Sequence, residues 1–263
     1  MKPKHLPYLL FTAFSFQSLC HAATVFDHFE TGEDTSAWNS IWTGGATAPG
    51  FLDPSLGGAN SGSGASNVQT FSRSFRNNTA GLSVTTAYSM SLYVQVDAFG
   101  APSDGRFEIV DGQYGSSNAA NVGVRTEEVS PGVYEYRWQA RSSTSGWQDV
   151  GIDLDLSSPY RVQLDVDPAT FTYTATIQLV TPPGSVVNSM SLANIAFDQN
   201  VIGNGQNGNL LFYIQASSGT TTALVDNINI EAVPEPSALA LLLMPGAALM
   251  VARRRRSEQL FSP

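Results

Sequence analysis

Cysteine, lysine and histidine are scarce in this sequence, and their scarcity excludes several kinds of chemistry. The 263 residues include one cysteine, Cys20, and two lysines, Lys2 and Lys4, all within the first 23 residues. Of the three histidines, only His28 follows residue 23. The rest of the chain therefore has no disulfide, no thiol nucleophile and no zinc site built on His and Cys ligands.

Basic residues are few throughout, which limits the partners that the protein could bind. Residues 24–232 contain 20 Asp and Glu residues against 7 Arg, a net charge of 7 − 20 = −13. Nucleic-acid binding relies on Lys and Arg that neutralise phosphates, so this composition argues directly against a nucleic-acid partner. An acidic surface keeps an exported protein soluble, and its carboxylates offer ligands to divalent cations.

Recognisable catalytic motifs are missing as well. A Ser-His-Asp site would have to use His28, which lies in an alternating Phe-Asp-His-Phe segment typical of a partly exposed strand. Glycoside hydrolysis needs only two carboxylates, but Glu108 and Asp111 are three residues apart and point to opposite faces of a strand. Two further pairs share a face but alternate with apolar residues, as on a solvated sheet: Asp153 with Asp155, and Asp165 with Asp167. We therefore predict that the protein is not an enzyme.

The first 23 residues have the ordered parts of a secretory signal peptide. A basic start precedes a mostly apolar run at residues 9–16, and Cys20 and Ala22 then place small residues at the −3 and −1 positions of a cleavage site. Cleavage after Ala22 or Ala23 fits this pattern best. A lipobox needs a small residue before its cysteine, and Leu19 stands there, so we reject the lipoprotein alternative.

The C-terminal region combines a short motif, an apolar run and a basic cluster. The motif is Val233, Pro234, Glu235 and Pro236, and the cluster is Arg253, Arg254, Arg255 and Arg256. The apolar run at residues 238–252 is shorter than the ~20 residues of a typical membrane span, so a buried core helix competes on length alone. The arginines decide between the two, because a membrane segment whose C-terminus stays in the cytoplasm favours such a flank. We predict one transmembrane helix here.

These three parts, in this order, resemble the PEP-CTERM sorting signal of Gram-negative bacteria over residues 233–256. The resemblance implies recognition by an exosortase-type membrane peptidase, which cuts near the motif. It implies an inner-membrane-tethered precursor whose product reaches the cell envelope or the extracellular, biofilm-type matrix. The extension at residues 257–263 departs from the family, whose tails usually stop soon after the arginines. The expected organisation is a signal peptide at 1–23, an ectodomain at 24–232, the sorting signal at 233–256 and a short cytoplasmic extension at 257–263.

Between the two ends, apolar and polar residues alternate with the period of two that is typical of half-buried β-strands. The clearest runs lie at residues 88–96, 160–166 and 171–179, and Asp167 and Pro168 join the last two as a hairpin. Shorter runs lie at residues 24–29, 68–75, 107–110, 122–126, 133–139, 147–154, 210–216 and 224–232.

Clusters of Gly, Ser, Asn and Pro separate these runs at residues 44–50, 57–67, 115–120 and 203–209. The cluster at 57–67 is expected to be a long flexible loop. Eleven or so short strands with such turns predict an all-β ectodomain, a two-sheet antiparallel jelly-roll sandwich. The ectodomain also resembles concanavalin A-like and laminin-G-like sandwich domains found upstream of such tails, in residues 25–29, 107–112 and 224–228. That resemblance implies the same fold and hints at an association with carbohydrate.

Aromatic residues are the candidates for sugar binding, because their faces stack on sugar rings. Tyr93 is the one aromatic on the polar face of its run, and Trp38 and Trp42 are further candidates. Trp138 and Trp147 are also available, although Trp138 shares a strand face with two tyrosines, a pattern that favours the core.

A calcium ion is the one cofactor that the residues suggest. Asp27 or Glu30, near the first strand, could meet Asp226 near the last, because the terminal strands of a jelly roll often pair and carboxylate oxygens suit Ca²⁺. The alternative for Asp226 is that it merely closes the end of a strand.

The sequence thus predicts an exported surface or matrix protein with a non-enzymatic ectodomain associated with glycan or exopolysaccharide. Two alternatives stay open. The first is a carbohydrate-active enzyme, a glycoside hydrolase or lyase with an unrecognised carboxylate pair. The second is a purely structural or adhesive module without a small ligand.

The sorting hypothesis generates the first testable prediction. Replacing Arg253 to Arg256 with neutral residues should impair membrane retention and processing, because the arginines hold the end of the tail in the cytoplasm. Immunoblots of cell and medium fractions should show a changed ratio of full-length to shortened product. Identical fractionation of variant and wild type would count against the hypothesis.

Overall fold

The alternating segments of the chain form β-strands, as their period of two predicts. The computed structural model describes residues 24–28, 46–49, 60–65, 70–76, 87–99, 106–114, 117–181, 184–197, 209–216 and 222–233. The described residues contain fourteen strands: β1 Thr24–Asp27, β2 Ala46–Pro49, β3 Asn60–Ala65, β4 Thr70–Arg76, β5 Tyr88–Ala98, β6 Arg106–Tyr114, β7 Ser117–Ser130, β8 Val133–Ser142, β9 Gly146–Asp153, β10 Pro159–Asp167, β11 Thr172–Thr181, β12 Ser185–Ala196, β13 Asn209–Ala216 and β14 Thr222–Ala232. Within these ranges no helix has the length and apolar character that crossing a membrane requires. The predicted signal peptide and C-terminal membrane segment lie outside the described residues.

The strands form two antiparallel sheets. The eight-stranded sheet has the order β12–β11–β10–β5–β14–β3–β2, with β1 added on β14, and the six-stranded sheet has the order β4–β13–β6–β7–β8–β9. One edge of β14 is shared, since β3 pairs with its residues 222–225 and β1 with its residues 228–231. The other edge of β14 pairs with β5. The first and last strands are therefore neighbours, and the predicted all-β, two-sheet antiparallel sandwich is confirmed.

The two sheets pack through their apolar faces. Along β5 and β10, buried and partly exposed residues alternate, so that residues such as Met90 and Leu92 face the other sheet. Trp138 of β8 is fully buried, and its ring centroid lies 6.5 Å from that of Phe107, edge to face. The Trp138 ring also lies 5.5 Å from the ring of Tyr160 on the opposite sheet. Trp138 therefore belongs to the core rather than to a binding surface.

Tyr173 connects the two sheets by a hydrogen bond inside this core. It lies on β11 of the eight-stranded sheet and is 1% exposed. Its hydroxyl oxygen lies 2.8 Å from the carbonyl oxygen of Asn121 on β7 and 2.8 Å from that of Arg141 on β8. A hydroxyl has one proton, so these two carbonyl groups of the six-stranded sheet share a single donor. Burial raises the pKa of Tyr173, because a phenolate ion in the core would lose its hydration.

The turn between β10 and β11 is the one that the sequence predicts. The Asp167 carboxylate accepts a hydrogen bond from the Ala169 N–H at 2.9 Å and another from the Thr170 hydroxyl at 2.8 Å. Aspartate stabilises turns through such bonds to the residues that follow it. The two strands pair from Tyr160 opposite Leu179 to the turn, and the predicted hairpin is confirmed.

Three strands are absent from the sequence-based prediction. The flexible loop expected at residues 57–67 is wrong for residues 60–65, because β3 pairs there with both β2 and β14. β2 likewise lies inside a cluster of Gly, Ala and Pro. β12 is an edge strand whose side chains are exposed along most of its length, and it pairs with β11. Backbone hydrogen bonds form these three ladders, and such bonds require no alternation of apolar side chains.

The hydroxyl of Tyr173 generates the second prediction. Tyr173→Phe should destabilise the folded protein by about 1–3 kcal/mol, because the buried Asn121 carbonyl group and the part-buried Arg141 carbonyl group lose their shared donor. For a domain of this size the melting temperature should fall by about 2–4 °C per kcal/mol, measured by circular dichroism. Tyr93→Phe is the matched control, since the Tyr93 hydroxyl has no hydrogen bond to any described residue, and it should melt like wild type.

The same variant tests the pH dependence of folding. A tyrosine whose pKa is higher when folded than when unfolded contributes stability below its unfolded pKa of about 10. That contribution is lost as the pH rises from there toward the folded pKa. The wild type should therefore lose stability above pH ~10 more steeply than Tyr173→Phe does. Parallel alkaline melting curves for the two proteins would contradict this assignment.

Candidate functional site

An open pocket lies on the outer face of the eight-stranded sheet, where β5, β10, β14 and the end of β1 meet. We refer to it as the β5–β10–β14 pocket. Its volume is 390 Å³, and six polar residues contribute to its lining: His28, Ser91, Tyr93, Arg161, Asn227 and Asn229. These residues lie on the opposite face of the sheet from core residues such as Met90 and Val162. Packing of the inner face against the core therefore holds the strands in place, while the side chains on the outer face can contact a ligand.

Strand register makes Tyr93 and Arg161 neighbours. Arg161 of β10 lies directly opposite Tyr93 of β5 in the antiparallel ladder. Side chains at directly opposed positions have Cβ atoms about 4.5–5.5 Å apart, so the two side chains leave the sheet at neighbouring points, and both line the pocket. Each is partly exposed. The pair thus presents an aromatic ring and a positive charge on one small area of surface.

A β-bulge in β14 forms the opposite side of the pocket. Asp226 pairs with Tyr93 and Asn229 with Ser91, so β14 uses one more residue than β5 between these pairs. Asn227 lies in the bulge with a φ of 49°, a left-handed conformation that Asn tolerates better than most residues. The Asn227 N–H donates to the Asp226 carboxylate at 2.8 Å, and the Asn229 side-chain amide donates to the Asn227 carbonyl oxygen at 3.0 Å. The bulge therefore brings two asparagine side chains to the pocket.

The end of β1 supplies the remaining side of the pocket. β1 pairs with β14, and Phe26 lies opposite Asn229. The His28 ring stacks on the Phe26 ring, with centroids 5.0 Å apart and an angle of 20° between the planes. Stacking limits the positions that the imidazole can take, which holds His28 at the rim of the pocket.

Arg161 differs from Arg106, Arg125 and Arg137 in its charge partners. Arg106 and Arg125 both pair with Glu108, and Arg137 lies within 4 Å of four carboxylates. Among the described residues, no carboxylate pairs with Arg161 and none lines the pocket. Asp226 occupies the position next to Tyr93 in the ladder, but it is 1% exposed and is not part of the lining. The described pocket wall therefore carries the unpaired positive charge of Arg161.

A second polar cluster lies on the outer face of the six-stranded sheet. Glu108 is 7% exposed and accepts a hydrogen bond from Arg125 at 2.5 Å, while the Arg106 Nε lies 3.3 Å away. The Arg125 guanidinium also lies over the Trp147 ring, 4.0 Å from its centroid. Gly123 leaves the necessary space, since a Cβ there would meet the Phe107 carbonyl oxygen and the Glu108 side chain. With two guanidinium groups on its carboxylate, Glu108 belongs to an ion-pair network.

The remaining carboxylate candidates for catalysis lie outside the pocket lining, and three of the four contact other side chains or turn groups. Asp153 lies at the end of β9, 3.7 Å from the Arg137 Nε. Asp165 accepts hydrogen bonds from the Gln163 side chain at 3.0 and 3.2 Å, and Asp167 belongs to the turn after β10. Asp155 is exposed and follows β9. The two pairs predicted to share strand faces therefore do not converge on the pocket.

The candidate residues from the sequence have different outcomes. Tyr93 lines the pocket, whereas Trp38, Trp42 and Glu30 lie outside the described residues. Asp27 ends β1 opposite Ile228, two positions from Asp226, but its side chain is outside the described part. Of the processing residues, only Val233 is described, and it is exposed. The others lie outside: Ala22, Ala23, Pro234, Glu235, Pro236 and Arg253 to Arg256.

The structure supports one requirement of the calcium hypothesis, but the described residues do not form a complete calcium site. The pairing of β1 with β14 brings the Asp27 and Asp226 backbones together, as the hypothesis requires. Within the described residues, no group of three His, Cys, Asp or Glu side chains could hold a metal ion. Asp226 is the one predicted ligand whose side chain is described, and calcium stays a prediction.

Comparisons with known proteins identify the fold. No protein-family model matches the sequence, and no curated protein matches it either. The solved structure of winged bean acidic lectin with methyl-α-D-galactose is similar with a TM-score of 0.50 and 11% identity, over 81% of this chain and 100% of that one. The structure of lectin II from Ulex europaeus has a TM-score of 0.48 and 10% identity, over 80% of this chain and 98% of the lectin. The structure of a carbohydrate esterase from a Shiga toxin-encoding bacteriophage has a TM-score of 0.45 and 11% identity, over 75% of this chain and 91% of the esterase.

At these identities the similarity concerns the fold alone. The chain has a two-sheet antiparallel β-sandwich fold similar to that of the winged bean lectin, which agrees with the all-β sandwich that the sequence predicts. The residues that sequence reasoning missed are Arg161, Asn227 and Asn229. Alternation places Arg161 on the polar face of β10, but only the register shows that Tyr93 lies opposite it. No local signal marks the bulge at Asn227.

The buried carboxylate of Asp226 generates the third prediction. If Ca²⁺ binds Asp226 together with Asp27 or Glu30, the melting temperature should rise with calcium and fall with a chelator, because the ion binds the folded form. When the free calcium concentration is a hundredfold above the dissociation constant, the free energy of unfolding should rise by about 2.7 kcal/mol. Asp226→Ala should remove the response. Magnesium at equal ionic strength is the control, and an equal shift with both ions, or no shift, would exclude the site.

Proposed function

We propose that this chain is an exported, non-enzymatic glycan-binding module whose ligand binds in the β5–β10–β14 pocket. The observation that carries the proposal is the position of Tyr93 beside Arg161, opposite Asn227 and Asn229. Sugars are bound by aromatic side chains that stack on their rings and by polar groups that hydrogen-bond to their hydroxyls. The volume of 390 Å³ is within the range of roughly 300–1,000 Å³ for small-molecule pockets.

The polar lining supports binding over hydrolysis. Glycosidases place two carboxyl groups on either side of the scissile bond, and no carboxylate belongs to the described lining of this pocket. A carbohydrate-active enzyme with an unrecognised carboxylate pair remains the alternative function. The sugar in the winged bean lectin structure shows what that lectin binds, and it supports sugar binding here only as an analogy of fold.

For its route to the surface, we propose export by the signal peptide and sorting by an exosortase-type peptidase. The geometry of the C-terminal side supports this proposal. The Val233 N–H donates to the Ala87 carbonyl oxygen at 2.8 Å, which extends the ladder between β14 and β5 by one bond. Val233 is also the first residue of the predicted processing motif, so a cut beyond it would leave all fourteen described strands in the product.

Glycan binding by the exported protein is the fourth prediction. The form recovered from cells that express the full chain should bind a subset of glycans on an array. Tyr93→Ala should weaken that binding about tenfold, the effect of losing ~1.4 kcal/mol of ring stacking. Tyr93→Phe keeps the ring and should retain binding.

Tyr134→Ala is the matched control, because Tyr134 is a part-exposed tyrosine on β8, in the other sheet. Release of reducing sugar that a single Asp or Glu substitution abolishes would favour the enzyme instead. Absence of binding to every glycan would favour the purely structural or adhesive module.

A further inference from the structure

We propose that the ligand of the β5–β10–β14 pocket is an acidic sugar, and that its carboxylate binds the guanidinium group of Arg161. This inference rests on the proposed function and adds the chemical class of the ligand. The ring of such a sugar would stack on Tyr93, while the carboxylate attached to that ring would reach the neighbouring arginine. A uronic acid has this combination of a ring face and a carboxylate at its edge.

The distribution of arginine partners is the first argument. Residues 24–232 hold 20 carboxylates and 7 arginines, so a partner for each arginine is abundant. Arg106, Arg125 and Arg137 have such partners at 2.5–3.7 Å. The Arg161 guanidinium group has neither an ion pair nor a hydrogen bond with any described residue. Unlike the exposed Arg141, Arg161 is partly buried, in a pocket wall. A guanidinium group in this position matches the geometry of a carboxylate, which it can bind through two parallel hydrogen bonds.

The cost of covering Arg161 is the second argument. Any ligand that stacks on Tyr93 also displaces water from the arginine beside it, because the two residues are directly opposed in the ladder. Removing water from a charge is unfavourable unless an opposite charge replaces it. The hydroxyl groups of a neutral sugar would replace this water with hydrogen bonds to Arg161. A carboxylate would replace it with charge-assisted hydrogen bonds in which both partners are ionised, and such bonds are roughly twice as strong as bonds between neutral groups. The pocket therefore discriminates in favour of the anion.

The charge of the whole ectodomain opposes this preference at long range, and salt separates the two effects. A net charge of −13 repels an anionic ligand in dilute buffer. At an ionic strength of about 0.15 M the screening length is about 8 Å, so distant carboxylates contribute little. A contact ion pair in a pocket is screened much less. Asp226 is buried and pairs with Tyr93 from the β14 side, so its charge can still act on a bound anion at this ionic strength.

The fifth prediction compares charged and neutral forms of the same sugars. Tetramers of galacturonic, glucuronic, mannuronic and guluronic acid, and the methyl ester of each, are titrated into the exported protein by calorimetry at 0.15 M salt. The ester keeps the ring, its stereochemistry and its stacking face, and replaces the charged carboxylate with a neutral group that carries one additional methyl. At least one acid form should bind about tenfold or more tightly than its ester, which corresponds to the loss of one charge-assisted contact.

Variants locate the effect at Arg161. Arg161→Gln should reduce the affinity for the acid to that for its ester and leave the affinity for the ester unchanged. Arg141→Gln is the matched control, since Arg141 is an exposed arginine of the other sheet without a described carboxylate partner, and it should have no effect. A thermal melt verifies folding, and Arg161→Lys, which keeps the charge, should bind the acid with intermediate affinity.

Failure of the inference and failure of the proposed function give different results. If acid and ester bind equally, and Tyr93→Ala weakens both, the pocket binds sugar but the inference about charge is wrong. The same conclusion follows if Arg161→Gln and Arg141→Gln weaken the acid form equally. If neither the tetramers nor any neutral glycan of the array binds, the proposed function itself is wrong.

Discussion

The contact between the two apolar sheet faces is the interaction on which the rest of this structure depends. No cysteine follows residue 23, so no covalent link assists the packing. The aromatic cluster around Trp138 and the hydroxyl of Tyr173 join β8, β10 and β11 across the interface. Because strands such as β5 and β10 contribute alternate residues to this contact, every other residue of these strands is left on an outer face. Ser91, Tyr93, Arg161 and Asn229 of the pocket lining occupy such outward positions.

This dependence makes the site sensitive to register rather than to the local chemistry of any one strand. Tyr93 lies beside Arg161 because Leu92 and Val162, the neighbouring residues on those strands, are paired in the core. A shift of either strand by one residue would turn the aromatic ring or the guanidinium inward and expose an apolar side chain. The free energy of burying the core is therefore also what positions the two residues of the site.

Much of the fold, and one residue of the site, could be predicted from the sequence. Eleven strands show alternation in the sequence, and along β5, β10 and β11 the apolar face of that alternation is buried in the core. β3 and β12 do not show it, since an edge or Gly-rich strand pairs through its backbone and needs no particular side chains. Tyr93 was visible as an aromatic on a polar face. Arg161 and Asn227 were not, because pairing between distant strands and the bulge in β14 are determined by tertiary contacts.

The position of β14 also determines how the sandwich responds to mechanical load. Tension on the chain beyond Val233 enters β14 directly, since Val233 is hydrogen-bonded to Ala87 beside β5. β14 is bonded along one edge to β5 and along the other to β3 and β1. A pull along its axis therefore shears several ladders at once, and forced unfolding must break them together. The same pull on β12, at the border of the sheet, would meet a ladder on one side only among the described strands.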